Sequence, residues 1–216
     1  MRVYPDMCCL KRPYDDQTQP RIALETEAVL AVLQAIAAGH LQALRSPAHE
    51  IENEQNPDAE RAAAVAGWLD RLNPLAKTPA AVAARVAELH AAGLKSFDAY
   101  HVAWAEHLAA DVLLTTDDPL LAFCGRQASI IKVRVVLRTR DELMVSIPDP
   151  VQLRRRAVEV LIRELGYVDA MRFLRQCGHG AGDYSRERHT FLPDWSPDEL
   201  VRRADDLVEQ RRKHAP

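Results

Sequence analysis

The apolar run at residues 112–114 (VLL) constrains the fold of this chain more than any other stretch. A short, wholly apolar strand is typical of a parallel sheet, in which helices cover both faces. Three further short runs, at 2–4, 41–44 and 130–137, are separated from it by segments with helical periodicity. Strands that alternate with helices predict an α/β protein, here a three-layer α/β/α sandwich with a mainly parallel sheet.

Recognisable start and stop residues bound the helices between these runs. Gly39 and Gly93 stand where two helical patterns end, as is common for a glycine that follows a helix. Ser46 and Pro47 are typical of a helix start, with serine as the N-cap and proline in the first turn, and Ser96 precedes another helix. The helices predicted in this part cover residues 22–38, 59–72, 79–92 and 97–109.

The last third of the chain has a different pattern, because no convincing strand follows. Apolar stripes predict two helices, over 157–165 and 168–176, and the final helix opens with a capping box that begins at Ser196. We therefore predict two domains, an α/β domain over 1–143 and a small all-α module over 144–216.

The composition excludes several classes of protein. An apolar fraction of 48% and a charged fraction of 27% are those of an ordinary globular chain rather than a disordered one. No apolar stretch reaches the roughly 18 residues that a membrane helix requires. The four cysteines have irregular spacing, which favours reduced thiols over disulfides or a zinc site. We therefore expect a cytoplasmic protein without a membrane segment.

Charge is unevenly distributed along the chain. The net charge is −3, and residues 151–216 hold 13 Lys and Arg against 11 Asp and Glu, which leaves −5 on the first 150 residues. This distribution excludes a globally basic nucleic-acid-binding protein. The acidic part is either a solvated surface or a carboxylate site that a metal ion neutralises.

Three aspartates stand where parallel α/β proteins bind ligands, beyond the carboxyl ends of strands. Asp6 and Asp117 each follow a predicted strand. Asp98 lies in the first turn of a predicted helix, where the helix dipole favours an ionised carboxylate. Such positions are also common places for helix caps, so a purely structural role stays open for each.

A fourth acid is expected from the helix that follows the second strand. At about 100° per residue, Glu52 falls on the apolar face with Ala48 and Ile51. Glu50 and Glu54 fall on the opposite face and are expected to face water. An inward carboxylate such as Glu52 is costly to bury unless a cation or hydrogen bonds satisfy it.

Four carboxylates at one edge of a sheet repel one another strongly without a cation. Hard oxygen ligands suit Mg²⁺ or Mn²⁺. Such ions activate water and stabilise the charge that develops during attack on a phosphodiester. The arrangement therefore favours a metal-dependent nuclease, and a set of helix caps remains the alternative.

Two motifs resemble the second half of a PIN-domain ribonuclease: SFDAYHVA at 96–103 and ADVLLTTDD at 110–118. The opening YPDMCCLKRPYDDQTQPRI is similar to the first strand and loop of one bacterial PIN subgroup, so the resemblance covers about residues 1–140. It implies cleavage of single-stranded RNA with Mg²⁺ or Mn²⁺, often by the VapC-like toxin of a toxin–antitoxin pair. It also implies a homodimer.

The resemblance implies a set of functional residues as well. Asp118 and Glu50 are candidates for a supporting role beside the metal site, although both are expected to be solvated. His101 either touches a substrate phosphate or hydrogen-bonds within the fold. The acids that would bind the metal and act in catalysis are Asp6, Glu52, Asp98 and Asp117.

Two residues depart from the family pattern. The family has a small hydroxyl residue after its first aspartate, where this chain has Met7. Pro5 removes a backbone donor from a strand that is expected to be central. These departures keep a second hypothesis open, a catalytically weak PIN fold that acts as a regulatory or RNA-binding module.

The segment from about residue 147 resembles a second family, small bacterial proteins encoded beside PIN toxins as antitoxins. The similar motifs are ELGYVDAMRFLRQ, GAGDYSRERHTFL and SPDEL. The resemblance implies a toxin-like and an antitoxin-like module in one chain. The nuclease would then be restrained by residues 144–216 or by a separate antitoxin protein.

Basic residues of this segment have several open roles. The arginines at 154–156 are expected to form a solvated face, to contact RNA phosphates or to enter the acidic site and hold it inactive. The same alternatives apply to a second group, for which packing of a loop is the favoured role. This group contains Tyr184, Arg186, Arg188 and His189.

Overall fold

The computed structural model describes residues 1–70, 72, 75–136, 159–160, 163–164, 166 and 182–214. Several sequence predictions fall wholly or largely outside these ranges. They are the helices over 157–165 and 168–176, the arginines at 154–156 and the domain boundary at residue 143.

The sheet has four parallel strands in the order β2-β1-β3-β4. The two central strands, β1 and β3, are the ones followed by the aspartates of interest. This parallel sheet, flanked by helices, confirms the α/β class predicted from the alternation of strands and helices. The strands are β1 (Arg2–Pro5), β2 (Gln42–Ala43), β3 (Val112–Leu114) and β4 (Arg134–Val136).

Side chains of the central strands alternate between two cores, as the pleat of a strand requires. Val3 of β1 and Val112 and Leu114 of β3 pack against apolar residues of the long second helix. Tyr4 and Leu113 lie in the larger core on the other face. The run at 112–114 is buried throughout, which explains its wholly apolar composition.

The helices mostly follow the predicted bounds, and no helix in the described ranges is both long and apolar enough to cross a membrane. The helices are α1 (Met7–Lys11), α2 (Pro20–Ala37), α3 (Pro47–Glu54), α4 (Ala59–Leu69), α5 (Ala80–Ala91), α6 (Ser96–His107), α7 (Asp118–Arg126), α8 (Tyr184–Phe191) and α9 (Pro197–His214), and a 3-10 turn covers Arg12–Tyr14.

Two short helices lie where the sequence predicts none. α1 begins directly after Asp6, and α8 covers the segment whose favoured role was packing as a loop. Both are too short to be stable alone, so tertiary contacts must hold them. In α8, Tyr184 and Arg188 stand one turn apart and both are buried, so this helix docks through the polar groups of these two residues as well as through the apolar contacts of Tyr184 and Phe191.

The final helix packs on the larger core. α9 contacts α3, α5 and α6, and the predicted capping hydrogen bond forms, from the Glu199 amide to Ser196 Oγ at 3.3 Å. Its inward residues Leu200, Ala204 and Val208 are fully buried. The C-terminal residues are therefore an integral part of the packed structure.

We expect Leu200→Ala to lower the free energy of unfolding by about 2–5 kcal/mol, because it removes a fully buried side chain and leaves a cavity. The matched control is Leu24→Ala on α2, since Leu24 is 72% exposed. That control should change stability by no more than about 0.5 kcal/mol. Urea unfolding measures both variants, and equal effects would contradict the packing of α9 on the core.

Candidate functional site

Four carboxylates meet at the carboxyl end of the sheet. Asp6 follows β1 and stands at the start of α1, and Asp117 follows β3 and caps α7. Glu52 comes from α3 and Asp98 from the first turn of α6. All four are buried, and none is more than 4% exposed. The fold thus brings together the acids that the sequence analysis selected.

Thr115 ties the two strand ends together. Its Oγ1 donates to Asp6 Oδ2 at 2.8 Å and accepts from the Asp117 amide at 3.0 Å. Pro5 does not displace Asp6, because Pro5 is the last residue of β1 and the ladder continues from the Asp6 amide to the Leu114 carbonyl at 2.8 Å. The strand therefore delivers Asp6 to the site despite the missing donor.

A single guanidinium fills the space between the four acids. Arg188 Nη2 lies 3.1 Å from Glu52 Oε2 and 3.0 Å from Asp98 Oδ1. Its Nη1 lies 3.5 Å from Asp6 Oδ2 and 3.7 Å from Asp117 Oδ2. Arg188 belongs to α8 and is fully buried. The C-terminal part of the chain therefore supplies the cation at the centre of the site.

Other groups from α1 and α8 complete this arrangement. The Tyr184 hydroxyl donates to Glu52 Oε1 at 2.9 Å and accepts from Lys11 Nζ at 3.2 Å. His189 Nε2 lies 3.3 Å from Asp117 Oδ2. Tyrosine, lysine and histidine thus surround the carboxylates on the side that faces α8.

His101 contacts the carboxylates from the opposite side, within α6. Its Nε2 is 3.0 Å from Glu52 Oε2 and 4.0 Å from Asp6 Oδ1. Ligand atoms of Asp6, Glu52 and His101 all lie within 4.8 Å of one another, so this buried group could hold a metal ion. His101 is fully buried and therefore acts inside the fold.

The pKa values follow from the competition between burial and the nearby cations. Burial and the neighbouring carboxylates raise the pKa of Asp98 to about 6 against the opposing effect of Arg188. Burial also opposes ionisation of Glu52, but Arg188 and the His101 hydrogen bond outweigh it and hold the pKa of Glu52 well below its usual range. Asp98 therefore holds a proton more readily than Glu52 does.

A second buried arginine holds the start of α8. Arg12 Nη1 lies 2.9 Å from Asp15 Oδ2 and 2.8 Å from Asp183 Oδ1, and its Nε lies 3.1 Å from Glu25 Oε2. Asp15 Oδ1 accepts the backbone amide of Tyr184 at 3.0 Å. These contacts orient the first turn of α8, so that Arg188 one turn later enters the site.

The two acidic candidates for supporting roles lie elsewhere. The prediction that Glu50 faces water is wrong: it is buried, 2.6 Å from Arg45 and 2.7 Å from Arg211. Its face of α3 is covered because α9 packs there, which the helical wheel of α3 alone does not reveal. Asp118 is exposed and makes a bidentate pair with Arg21 at 2.6 and 2.7 Å. Neither acid joins the cluster.

The sequence left entry of Arg188 into the acidic site open as an alternative, but it favoured loop packing. Loop packing is the wrong description of this segment, because α8 is a helix that directs Arg188 and Tyr184 into the acids. The spacing of Tyr184 and Arg188 could have revealed that they act together, since residues four apart share a helix face. Thr115 was missed: it supplies the hydroxyl that contacts Asp6, whereas Met7 packs in an apolar cluster.

Comparisons with protein-family models, with curated proteins and with solved structures found no match for this chain. The structure itself establishes an α/β protein with a four-strand parallel sheet and a buried Asp/Glu/His group that could hold a metal ion.

We expect the raised pKa of Asp98 to make stability depend on pH. The folded chain binds this proton more tightly than the unfolded chain, so the free energy of unfolding should fall as pH rises from about 4 to about 6 and then level off. Asp98→Asn should remove the part of this fall in the free energy of unfolding that Asp98 causes. Urea unfolding without metal at about pH 4.5 and about pH 7.5 measures it.

The control for this prediction is Asp198→Asn, which changes an exposed acid on α9. For this variant, the fall in the free energy of unfolding between the two pH values should match that of the unaltered chain. If Asp98→Asn shows the same decline as well, the proton is not held by Asp98.

Proposed function

We propose that this chain is a PIN-type, metal-dependent endoribonuclease that cleaves single-stranded RNA and that its C-terminal helices restrain it in cis. The convergence of Asp6, Glu52, Asp98 and Asp117 at the carboxyl edge of a parallel sheet carries the proposal. Ligands bind at this edge in open α/β proteins. The resemblance of the motifs at 96–103 and 110–118 to PIN ribonucleases supports the choice of RNA.

The donor set fits a divalent cation. Four carboxylates offer the hard oxygen ligands that Mg²⁺ and Mn²⁺ prefer. Within the described residues, Asp6 Oδ1 is a buried acceptor without a hydrogen-bond partner. A buried carboxylate oxygen in this condition is costly, and a bound cation would satisfy it.

The chain's own residues would prepare the reaction. A divalent ion in this site supplies Lewis acidity and a water of lowered pKa. Thr115 and His101 orient Asp6 and Glu52 through their hydrogen bonds, so that the carboxylates are held before substrate arrives. Burial of the acids keeps bulk water away and strengthens every charge interaction inside the site.

A cavity of about 310 Å³ reaches Asp98, one of the four acids, and offers a place for RNA to approach. Its lining also includes Lys95, Arg188 and His189. Lys95 is exposed and is placed to contact a phosphate of a bound strand.

Restraint in cis is supported by the place that Arg188 occupies. Its guanidinium pairs with all four acids, which are the groups that would hold the metal and face the scissile phosphate. RNA cleavage therefore requires α8 to move or Arg188 to leave. In this reading the chain joins a toxin to its own antitoxin, and no separate antitoxin protein is needed for inhibition.

A catalytically weak regulatory or RNA-binding module is the second candidate. Met7 favours it, because this residue is fully buried among apolar side chains and provides no hydroxyl beside Asp6. The position of Arg188 among the acids also suits a site that binds without cleaving. Activity after removal of Arg188 separates the two candidates.

We expect Arg188→Ala in the full chain to raise Mn²⁺-dependent cleavage of single-stranded RNA by about 100-fold, the ratio that corresponds to about 3 kcal/mol for a broken buried ion pair. The matched control is Arg186→Ala, which alters an arginine of the same helix that is 78% exposed. The control should leave cleavage at the level of the unaltered chain. A fluorescent oligonucleotide assay measures all three proteins.

Adding Asp98→Asn to Arg188→Ala should reduce the released activity by orders of magnitude, because the reaction loses a carboxylate of the site. Arg188→Ala also leaves the acids unpaired, so its folding is checked by thermal unfolding with Mn²⁺ present. A folded Arg188→Ala chain that does not cleave RNA would favour the binding module over the nuclease.

A further inference from the structure

We infer that the restrained chain still binds one divalent cation, held by Asp6, Glu52 and His101 while Arg188 stays in place. The inference rests on the proposed metal site and concerns its regulation. It assigns His101 as a metal ligand, and it assigns Arg188 to the part of the site that the ion does not fill. Arg188 then blocks the substrate but does not prevent metal binding.

The first argument is the charge of the cluster. Among the residues that the structure describes, four buried carboxylates face two buried cations, Arg188 and Lys11, of which Lys11 reaches Glu52 through the Tyr184 hydroxyl. Two negative charges then remain in a site of low dielectric, where uncompensated charge is costly. One divalent cation neutralises this excess.

The second argument is the acceptor that Arg188 leaves unused. Arg188 approaches Asp6 only at Oδ2, which also accepts from Thr115. Asp6 Oδ1 is buried, has no hydrogen-bond partner among the described residues and lies 4.0 Å from His101 Nε2. With Glu52 as the third member, these atoms form a compact set of two oxygens and one nitrogen.

The third argument is the support behind His101. Its Nδ1 lies 2.9 Å from the Tyr4 hydroxyl, which lies 2.6 Å from Ser46 Oγ. Ser46 Oγ is 3.3 Å from His49 Nδ1, and this nitrogen is an acceptor because His49 Nε2 donates to the Pro5 carbonyl at 2.8 Å. His49 Nδ1 also accepts the Ser46 amide at 3.1 Å, so the Ser46 hydroxyl can donate to it only as a second, shared donor.

This row of hydrogen-bonding groups permits two proton arrangements with the same heavy-atom positions. In one, Tyr4 donates to His101 Nδ1, and the Nε2 proton is donated to Glu52. In the other, His101 Nδ1 donates to Tyr4, Tyr4 donates to Ser46, and the Ser46 hydroxyl shares His49 Nδ1 with the Ser46 amide, which frees the His101 Nε2 lone pair for a metal. Metal-ligating histidines are commonly held in this way by a partner on the other nitrogen.

The ligand class follows from the donors. Carboxylate oxygens bind both Mg²⁺ and Mn²⁺, whereas an imidazole nitrogen increases the affinity for transition-metal ions. We therefore expect Mn²⁺ to bind the restrained chain more tightly than Mg²⁺. Mn²⁺ is also the better probe, because pulsed electron paramagnetic resonance detects a nitrogen ligand on this ion.

The experiment titrates the full chain with Mn²⁺ by calorimetry and records the nitrogen coupling of the bound ion. One Mn²⁺ per chain with a nitrogen coupling is expected. His101→Gln should abolish the coupling, whereas the matched control His107→Gln, which changes an exposed histidine of the same helix, should retain it. Tyr4→Phe keeps the ring in the core, removes the hydroxyl behind His101 and should weaken Mn²⁺ binding by about 10–100-fold.

The outcomes separate this inference from the proposed function. If the full chain binds no Mn²⁺ but Arg188→Ala does, Arg188 excludes the ion, so the inference fails and the proposed metal site stands. If neither protein binds Mn²⁺, both fail. A bound ion without nitrogen coupling, or a coupling that persists in a folded His101→Gln chain, removes His101 from the ligand set. Circular dichroism checks the fold of each variant.

Discussion

The ion pair between Arg188 and four buried carboxylates is the interaction on which this structure depends. Asp6 and Glu52 are fully buried, and without a cation their charges would repel one another in a site of low dielectric. Arg188 provides that cation from α8, nearly two hundred residues along the chain from Asp6. The same contact helps to dock a short helix whose apolar contacts come from Tyr184 and Phe191. Arg12 and its three acidic partners hold the other end of that helix.

The proposed nuclease activity and its proposed inhibition in cis would compete for the same four acids. The four acids that would bind the metal of a nuclease also hold α8 in place through Arg188. Metal binding and the docking of α8 would therefore affect each other. Removing one partner of a buried ion pair is strongly destabilising, which makes release of Arg188 costly unless another cation replaces it. A divalent ion beside Arg188 would lower that cost. The proposed nuclease would then be regulated by the relative affinity of the acids for metal and for arginine.

The local sequence pattern was sufficient to place several acids at the carboxyl edge of the sheet. A buried parallel strand needs apolar residues and ends at a polar one, so Asp6 and Asp117 were recognisable at strand ends. Helical periodicity distinguished Glu52 from Glu54, because only Glu52 shares a face with Ile51. The same reasoning failed for Glu50: a helical wheel places a residue relative to its own helix, and a second helix that packs on that face changes its surroundings.

The sequence by itself determined the α/β class, the order along the chain of the strands and most helices, and the approximate place of four acids, because these follow from periodicity, strand-end residues and helix caps. Only the tertiary structure decided that Arg188 and Tyr184 enter the acidic site, that Thr115 links Asp6 to Asp117 and that His101 is backed by Tyr4. These contacts join residues far apart in the chain, and burial gives them their strength. Short-range sequence patterns carry no information about these contacts or about burial, since both arise when separate elements pack together.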